Sequence, residues 1–283
     1  VTIQKVTVLG TGVLGSQIAF HTAFSGFDVT AYDLDEDALK AAADRFAGLT
    51  KAYCAEVPEA ADGKAEKAAA AIALSCDLEE AVRAADLVIE AVPEVLAVKQ
   101  DVYRRIGEFA PAHTIFATNS STLLPSAIAD STGRPDRFLA LHFANRIWRH
   151  NILEVMGTPA TDPQVYRTAV EFAVRIGMVP IELHKEKSGY VLNSLLVPLL
   201  NAAMVLAEGG FADPETVDNT WRIGTGAPVG PFQILDTIGL ATPYNILSHG
   251  GPAEQRLAAW IKENYLDQGK LGLASGEGFY RYT

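Results

Sequence analysis

Through about the first 180 residues, short apolar runs alternate with longer amphipathic ones. Strand-length runs cover residues 5–9, 28–32, 86–92, 114–118 and 138–143, with helical patterns over 14–25, 35–53 and 95–109 between them. Short buried runs separated by helix-length stretches predict a mostly parallel sheet with helices on both faces. The alanine-rich segment 59–72 reads as an extra helix, whose Lys64 and Lys67 among Glu59, Asp62 and Glu66 make a solvated face. Two more strands are expected at 152–156 and 179–183, flanking a helix over 163–176. Past residue 184 the alternation ends. Helical patterns over 190–208, 214–223, 231–238 and 253–265 follow, with turn clusters at 224–228 and 250–252. Two domains are therefore predicted, residues 1–184 and a smaller all-α domain over 185–283.

Within the helical part, residues 190–207 carry no charge over 18 positions, close to a bilayer-spanning length. Asn193, Ser194, Pro198 and Asn201 interrupt that run, so a buried helix is expected there and no membrane span.

The first strand leads directly into Gly10-Thr11-Gly12-Val13-Leu14-Gly15, a G-x-G-x-x-G turn that opens the first helix. One glycine permits the tight turn, one lets backbone approach a pyrophosphate, and one lets helix and strand pack closely. The helix aims its free N–H groups and positive dipole end at the phosphates. An acidic residue, Asp33, closes the second strand. Its carboxylate can accept hydrogen bonds from an adenine ribose and would repel a 2′-phosphate. The nearest arginine downstream, Arg45, is a full helical run away, so no basic partner for such a phosphate is expected close by. The fold class implied is a Rossmann-type doubly wound α/β sheet, and the cofactor implied is NAD(H), not NADP(H).

Composition adds limits. At 283 residues, 49% hydrophobic and 20% charged, the chain can bury a substantial core. Its net charge of −11 weighs against nucleic acid and anionic membrane as partners, but leaves a small-molecule ligand open. Cys54 and Cys76 follow no paired-thiol or metal spacing, so they read as buried or partly buried thiols and no metal is expected. No basic stretch followed by an apolar one opens the sequence, so no signal peptide and a cytoplasmic location are expected.

Hydride transfer needs a group that gives or takes the alcohol proton. Of six histidines, His142 stands out, because it falls at the end of a predicted strand, the edge where open α/β sheets bind ligands. Glu154 lies in the next strand. Paired side by side, the carboxylate would fix the imidazole tautomer and favour the imidazolium. From the residues alone, a structural His–Glu pair fits equally. Ser120, Ser121 and Thr122 also read as a helix N-cap, Asn193 as a satisfied polar residue in a buried helix, and Lys99 as an exposed helix residue.

Several segments together are more specific. Thr118-Asn119-Ser120-Ser121-Thr122, Leu141-His142-Phe143-Ala144-Asn145, Leu153-Glu154-Val155 and Ser188-Gly189-Tyr190-Val191-Leu192-Asn193 resemble the L-3-hydroxyacyl-CoA dehydrogenase family in order and separation. Gly226-Ala227-Pro228-Val229-Gly230-Pro231-Phe232 and Gly276-Glu277-Gly278-Phe279-Tyr280 continue the match, which spans essentially the whole chain. The resemblance implies that His142 is the acid/base, that Glu154 orients it, and that Ser121 and Asn193 hydrogen-bond the reacting oxygen or the histidine. It also places Glu94, Lys99 and Asn119 at the nicotinamide half of the cofactor, and implies a homodimer formed through the helical domain.

The departures concern the substrate. Where the family continues with proline and a short apolar stretch, this chain has Arg146-Ile147-Trp148-Arg149-His150, so Asn145, Arg146 and Trp148 are expected at the substrate entrance. The family's CoA contacts cluster over residues 47–70, where Lys51, Lys64 and Lys67 stand among many acids, and Ala274 replaces a frequent lysine. In this the chain is similar to the bacterial diketoreductases of the family, which act on β-keto and β,δ-diketo esters. The resemblance implies NADH-dependent reduction of 3-oxo compounds to S-3-hydroxy products. The alternatives are an ordinary 3-hydroxyacyl-CoA dehydrogenase, a gulonate-type sugar-acid dehydrogenase, and a non-catalytic, crystallin-like NAD-binding protein.

Overall fold

The computed structural model describes residues 2–282, which divide into two compact units between Val191 and Leu192. The first holds an eight-stranded sheet in the order β3-β2-β1-β4-β5-β6-β7-β8. Its strands are β1 (Lys5–Leu9), β2 (Asp28–Tyr32), β3 (Ala73–Ser75), β4 (Leu87–Glu90), β5 (Ile115–Thr118), β6 (Phe138–Phe143), β7 (Ile152–Gly157) and β8 (Val179–Leu183). Every pairing is parallel except β6 with β7. Between the strands run α1 (Val13–Phe24), α2 (Glu36–Glu56), α3 (Lys64–Ala71), α4 (Leu78–Val82), α5 (Leu96–Phe109), α6 (Ser126–Ala129) and α7 (Pro163–Arg175). This is the Rossmann-type architecture that the alternating pattern predicts.

Strand alternation distributes the core to both faces. Val6, Val8, Leu87 and Ile89 join one buried cluster with α1 and α2, while Val88 and Phe116 join another with Tyr103 and Ile106 of α5. Two elements escape the periodicity argument. The edge strand β3 has three residues and α4 has five, started by Asp77, whose carboxylate accepts the Glu80 N–H. The expected helix over 59–72 is shortened to α3, because Asp62 and Gly63 both take positive φ, 60° and 76°, immediately before it.

The second unit contains α8 (Leu192–Glu208), α9 (Pro214–Thr225), α10 (Pro231–Ile238), α11 (Ala241–Ser248) and α12 (Pro252–Asn264) around Phe232, Leu235, Leu257 and Ile261. Among the described residues no helix is long and apolar enough to cross a membrane. The change of unit falls at Val191 instead of residue 184, because Tyr190 packs against β6 and β7 through Ala140 and Met156. The two C-terminal motifs have structural reasons. Asp218 accepts the Phe232 and Gln233 N–H groups, and Asp236 accepts those of Phe279 and Tyr280. A Cβ on Gly230 or Gly278 would collide with these carboxylates.

Both cysteines are exposed, contrary to expectation. Their thiols sit beside carboxylates on the surface, Cys54 near Glu66 and Cys76 near Glu36. The absence of a pairing motif carries no information about exposure.

Candidate active site

Strand order reverses between β1 and β4, which is where open α/β sheets form their ligand crevice. The Gly10–Gly15 turn lies there. Gly10 has φ +90°, and a Cβ on it would lie 2.7 Å from the Ala91 carbonyl oxygen that follows β4. A Cβ on Gly15 would fall 1.9 Å from the Gly10 oxygen, so α1 can approach β1 only with glycine there. Gly12 is different: a Cβ there would meet nothing within 4 Å. It is also the N-cap of α1 and offers no side chain to the first N–H groups, which leaves them for a ligand. Thr11 is buried, while Val13 and Leu14 begin α1. Asp33 Oδ2 accepts from Thr11 N at 2.7 Å and Thr11 Oγ1 at 2.6 Å, and its Oδ1 accepts from Leu34 N. Space at Gly12, free helix N–H groups and a carboxylate at the end of β2 fit a dinucleotide.

Arg45 corrects one expectation. Its guanidinium Nη1 donates to the Thr11 carbonyl at 3.1 Å, so a cation does sit at this turn. Helical side chains tilt back toward the helix N-terminus, which brings Arg45 up α2 toward the loop.

At the same sheet edge, β6 and β7 pair with His142 directly opposite Glu154. His142 Nδ1 lies 2.8 Å from Glu154 Oε2, and Nε2 lies 3.0 Å from Ser121 Oγ. All the polar atoms of the imidazole are thus engaged, and both His142 and Glu154 are buried. Glu154 Oε1 accepts the Val191 N–H, which fixes the carboxylate from its other side. Tyr190 stacks on the imidazole and donates its hydroxyl to the Ser120 carbonyl. Burial first, then the Glu154 charge, pushes its phenol well above the usual tyrosine range, so it stays a neutral donor. Asn119 Oδ1 accepts the Phe143 N–H and ties the β5 loop to β6.

Glu94 organises the serine loop. One oxygen accepts from Ser120 Oγ, Ser121 N, Thr122 N and Thr122 Oγ1, and the other lies 3.3 Å from Lys99 Nζ. Partial burial disfavours its charge. The Ser120 and Thr122 hydrogen bonds and the Lys99 charge outweigh that and hold the carboxyl at about 2. Ser120 Oγ accepts the Leu123 N–H in the loop, the helix expected there begins only at Ser126 with Pro125 as its N-cap, and Ser121 is left for His142. Lys99 is no surface residue. It is buried with Nζ 2.5 Å from Glu90, whose other oxygen accepts from Thr118.

The connection between β6 and β7 docks on α1 and α2. Trp148 and Arg149 both bind Glu56 at the end of α2, and the Trp148 ring packs 5.3 Å from that of Tyr53. These two hydrogen bonds, Arg149 first, hold the Glu56 carboxyl at about 2. Arg146 takes φ 59°, and Gln17 of α1 accepts its N–H. Trp148 therefore docks its indole on α2, while Asn145 and Arg146 are exposed. Asn193 lies in the second unit, in the first turn of α8. Sequence reasoning missed Glu90, Gln17 and Glu56, whose roles come from residues far away in the chain.

A dinucleotide turn at the sheet's switch point and a Ser–His–Glu chain at its edge define a nicotinamide-dependent dehydrogenase. The chain belongs to the 3-hydroxyacyl-CoA dehydrogenase family: its NAD binding domain matches residues 5–187 and its C-terminal domain residues 189–282. Rat mitochondrial hydroxyacyl-coenzyme A dehydrogenase is 38% identical, covering 99% of this chain and 91% of that protein. A probable 3-hydroxybutyryl-CoA dehydrogenase of Bacillus subtilis is 33% identical over 99% of this chain and 98% of its own. A solved diketoreductase, described for dual catalysis of dicarbonyl compounds, is 66% identical with a TM-score of 0.98, both chains covered fully. The protein is thus an NAD(H)-dependent oxidoreductase acting on CH–OH groups.

Proposed function

We propose that the enzyme reduces 3-oxo compounds, β-keto or β,δ-diketo esters or acyl compounds, to S-3-hydroxy products. The Ser121–His142–Glu154 chain carries this reading. Bound NADH supplies the hydride. His142, protonated and held by Glu154, gives its Nε2 proton to the oxygen that gains charge. Ser121 shares that nitrogen and donates to the same oxygen. Fixed donors at a developing alkoxide need no reorganisation when the charge appears. Glu94, Lys99 and Asn119 hold the loops around the nicotinamide, with the Gly10–Gly15 turn and Asp33 on the other half of the cofactor.

The preference for esters over CoA thioesters is supported by the α2–α3 junction. Glu56, Asp62 and Glu66 line a cleft there, and the Lys64 ammonium lies over the Phe24 ring. An acidic wall disfavours the phosphates of CoA. The 66% identity to a diketoreductase agrees. Exposed Phe211, Ile223 and Ile246 on the second unit support a homodimer, which light scattering would test.

NADH oxidation measured with acetoacetyl-CoA, β-keto esters and β,δ-diketo esters tests the substrate. Equal or faster turnover of the thioester overturns the ester preference. His142→Ala should cut kcat by about 10²–10⁴-fold with NADH affinity retained; substantial surviving activity overturns the acid/base assignment.

A further inference from the structure

Arg45 takes no part in the proton chemistry, yet it is built into the cofactor turn. Its Nη1 holds the Thr11 carbonyl, while the amide and hydroxyl of the same residue donate to Asp33. Thr11 is buried, so this single residue is gripped from two sides by groups of opposite charge. A guanidinium carries five N–H donors, and this one alone is engaged among the described residues. Arg45 is exposed, so the others face solvent.

In dinucleotide folds an acidic residue at the end of the second strand takes the ribose 2′-hydroxyl. Where a 2′-phosphate is bound instead, a nearby arginine accommodates it. Here both groups meet at Thr11. We infer that Arg45 is a specificity-determining residue for the cofactor, a cation stationed for a 2′-phosphate and kept from it by the Asp33 charge. The carboxylate repels the phosphate dianion. An arginine fork binds phosphate through charge-assisted hydrogen bonds once that repulsion is removed.

Asp33→Asn removes the charge but keeps an oxygen that can accept from Thr11 N and Oγ1, so the turn retains its bonds. The readout is the ratio of Kd for NADPH to Kd for NADH, from titration of nicotinamide fluorescence without substrate. That ratio should fall roughly tenfold in Asp33→Asn, within the coupling seen between contacting charged groups. Most of the fall should vanish in the Asp33→Asn/Arg45→Gln double variant. An equal fall in both backgrounds overturns the inference. Arg45→Gln alone needs no change at Asp33 and should raise the ratio above wild type; an unchanged ratio overturns the inference even if the Asp33 variants do not fold.

Discussion

Tyr190 lies flat on His142, with ring centroids 4.4 Å apart and planes 11° from parallel. The tyrosine holds φ 50°, a backbone state that costs an L-residue about 1–2 kcal/mol. Its hydroxyl bond to Ser120 and the adjacent Val191–Glu154 bond keep it there. Tyr190→Phe keeps the stack and loses one hydrogen bond worth about 1 kcal/mol, so kcat should fall by about fivefold. Tyr190→Ala removes the platform as well and should fall further. Steady-state rates for the two variants, with NADH affinity as control, distinguish the contributions of stack and hydroxyl.

The turn glycines should separate folding from cofactor binding. Gly12→Ala meets no protein atom within 4 Å, so unfolding free energy should stay within about 1 kcal/mol of wild type while NADH binding weakens. Gly15→Ala forces a Cβ to 1.9 Å from the Gly10 oxygen and should cost at least about 1–3 kcal/mol. Urea unfolding and NADH titration of both variants check this contrast.

Lys99 and Glu90 form a buried pair, and the cost of breaking it should exceed the cost of deleting it. Lys99→Met strands the Glu90 carboxylate and should destabilise by about 3–5 kcal/mol. The double variant Glu90→Gln/Lys99→Met should recover most of that loss in urea unfolding.

Glu94 gives a pH signature. Its folded value of about 2 lies below the ordinary 4.5. A depressed carboxylate adds stability that is complete above the unfolded value and is lost as pH falls toward the folded one. The stability gap between wild type and Glu94→Gln should therefore be constant near neutrality and narrow from about pH 4.5 toward about 2. Chemical unfolding at several pH values measures it. Because the side chain is more than a third exposed, solvent screening keeps the gap modest.

Much of the fold was legible because it follows local period. The runs at 5–9, 28–32, 138–143 and 179–183 coincide with β1, β2, β6 and β8. The edge strand β3 is too short to show a period, and its place beside β2 is set by pairing. At the site, the Gly10–Gly15 turn and the His142–Glu154 pair could be read because sequence spacing fixes strand ends and neighbours. Lys99 could not, since a buried lysine looks like any helix lysine until Glu90 is seen against it. Arg45 misled for a related reason: distance along a helix overstates distance in space when a long side chain reaches back toward the loop.

The antiparallel β6–β7 pairing has an evolutionary consequence. His142 and Glu154 face each other through strand register, and the residues between Phe143 and Ile152 form the connection alone. That connection can be lengthened, shortened or rewritten without altering how the two side chains meet. A lineage can thus rewrite the connection while inheriting the contact between His142 and Glu154, because the two are held by separate parts of one hairpin.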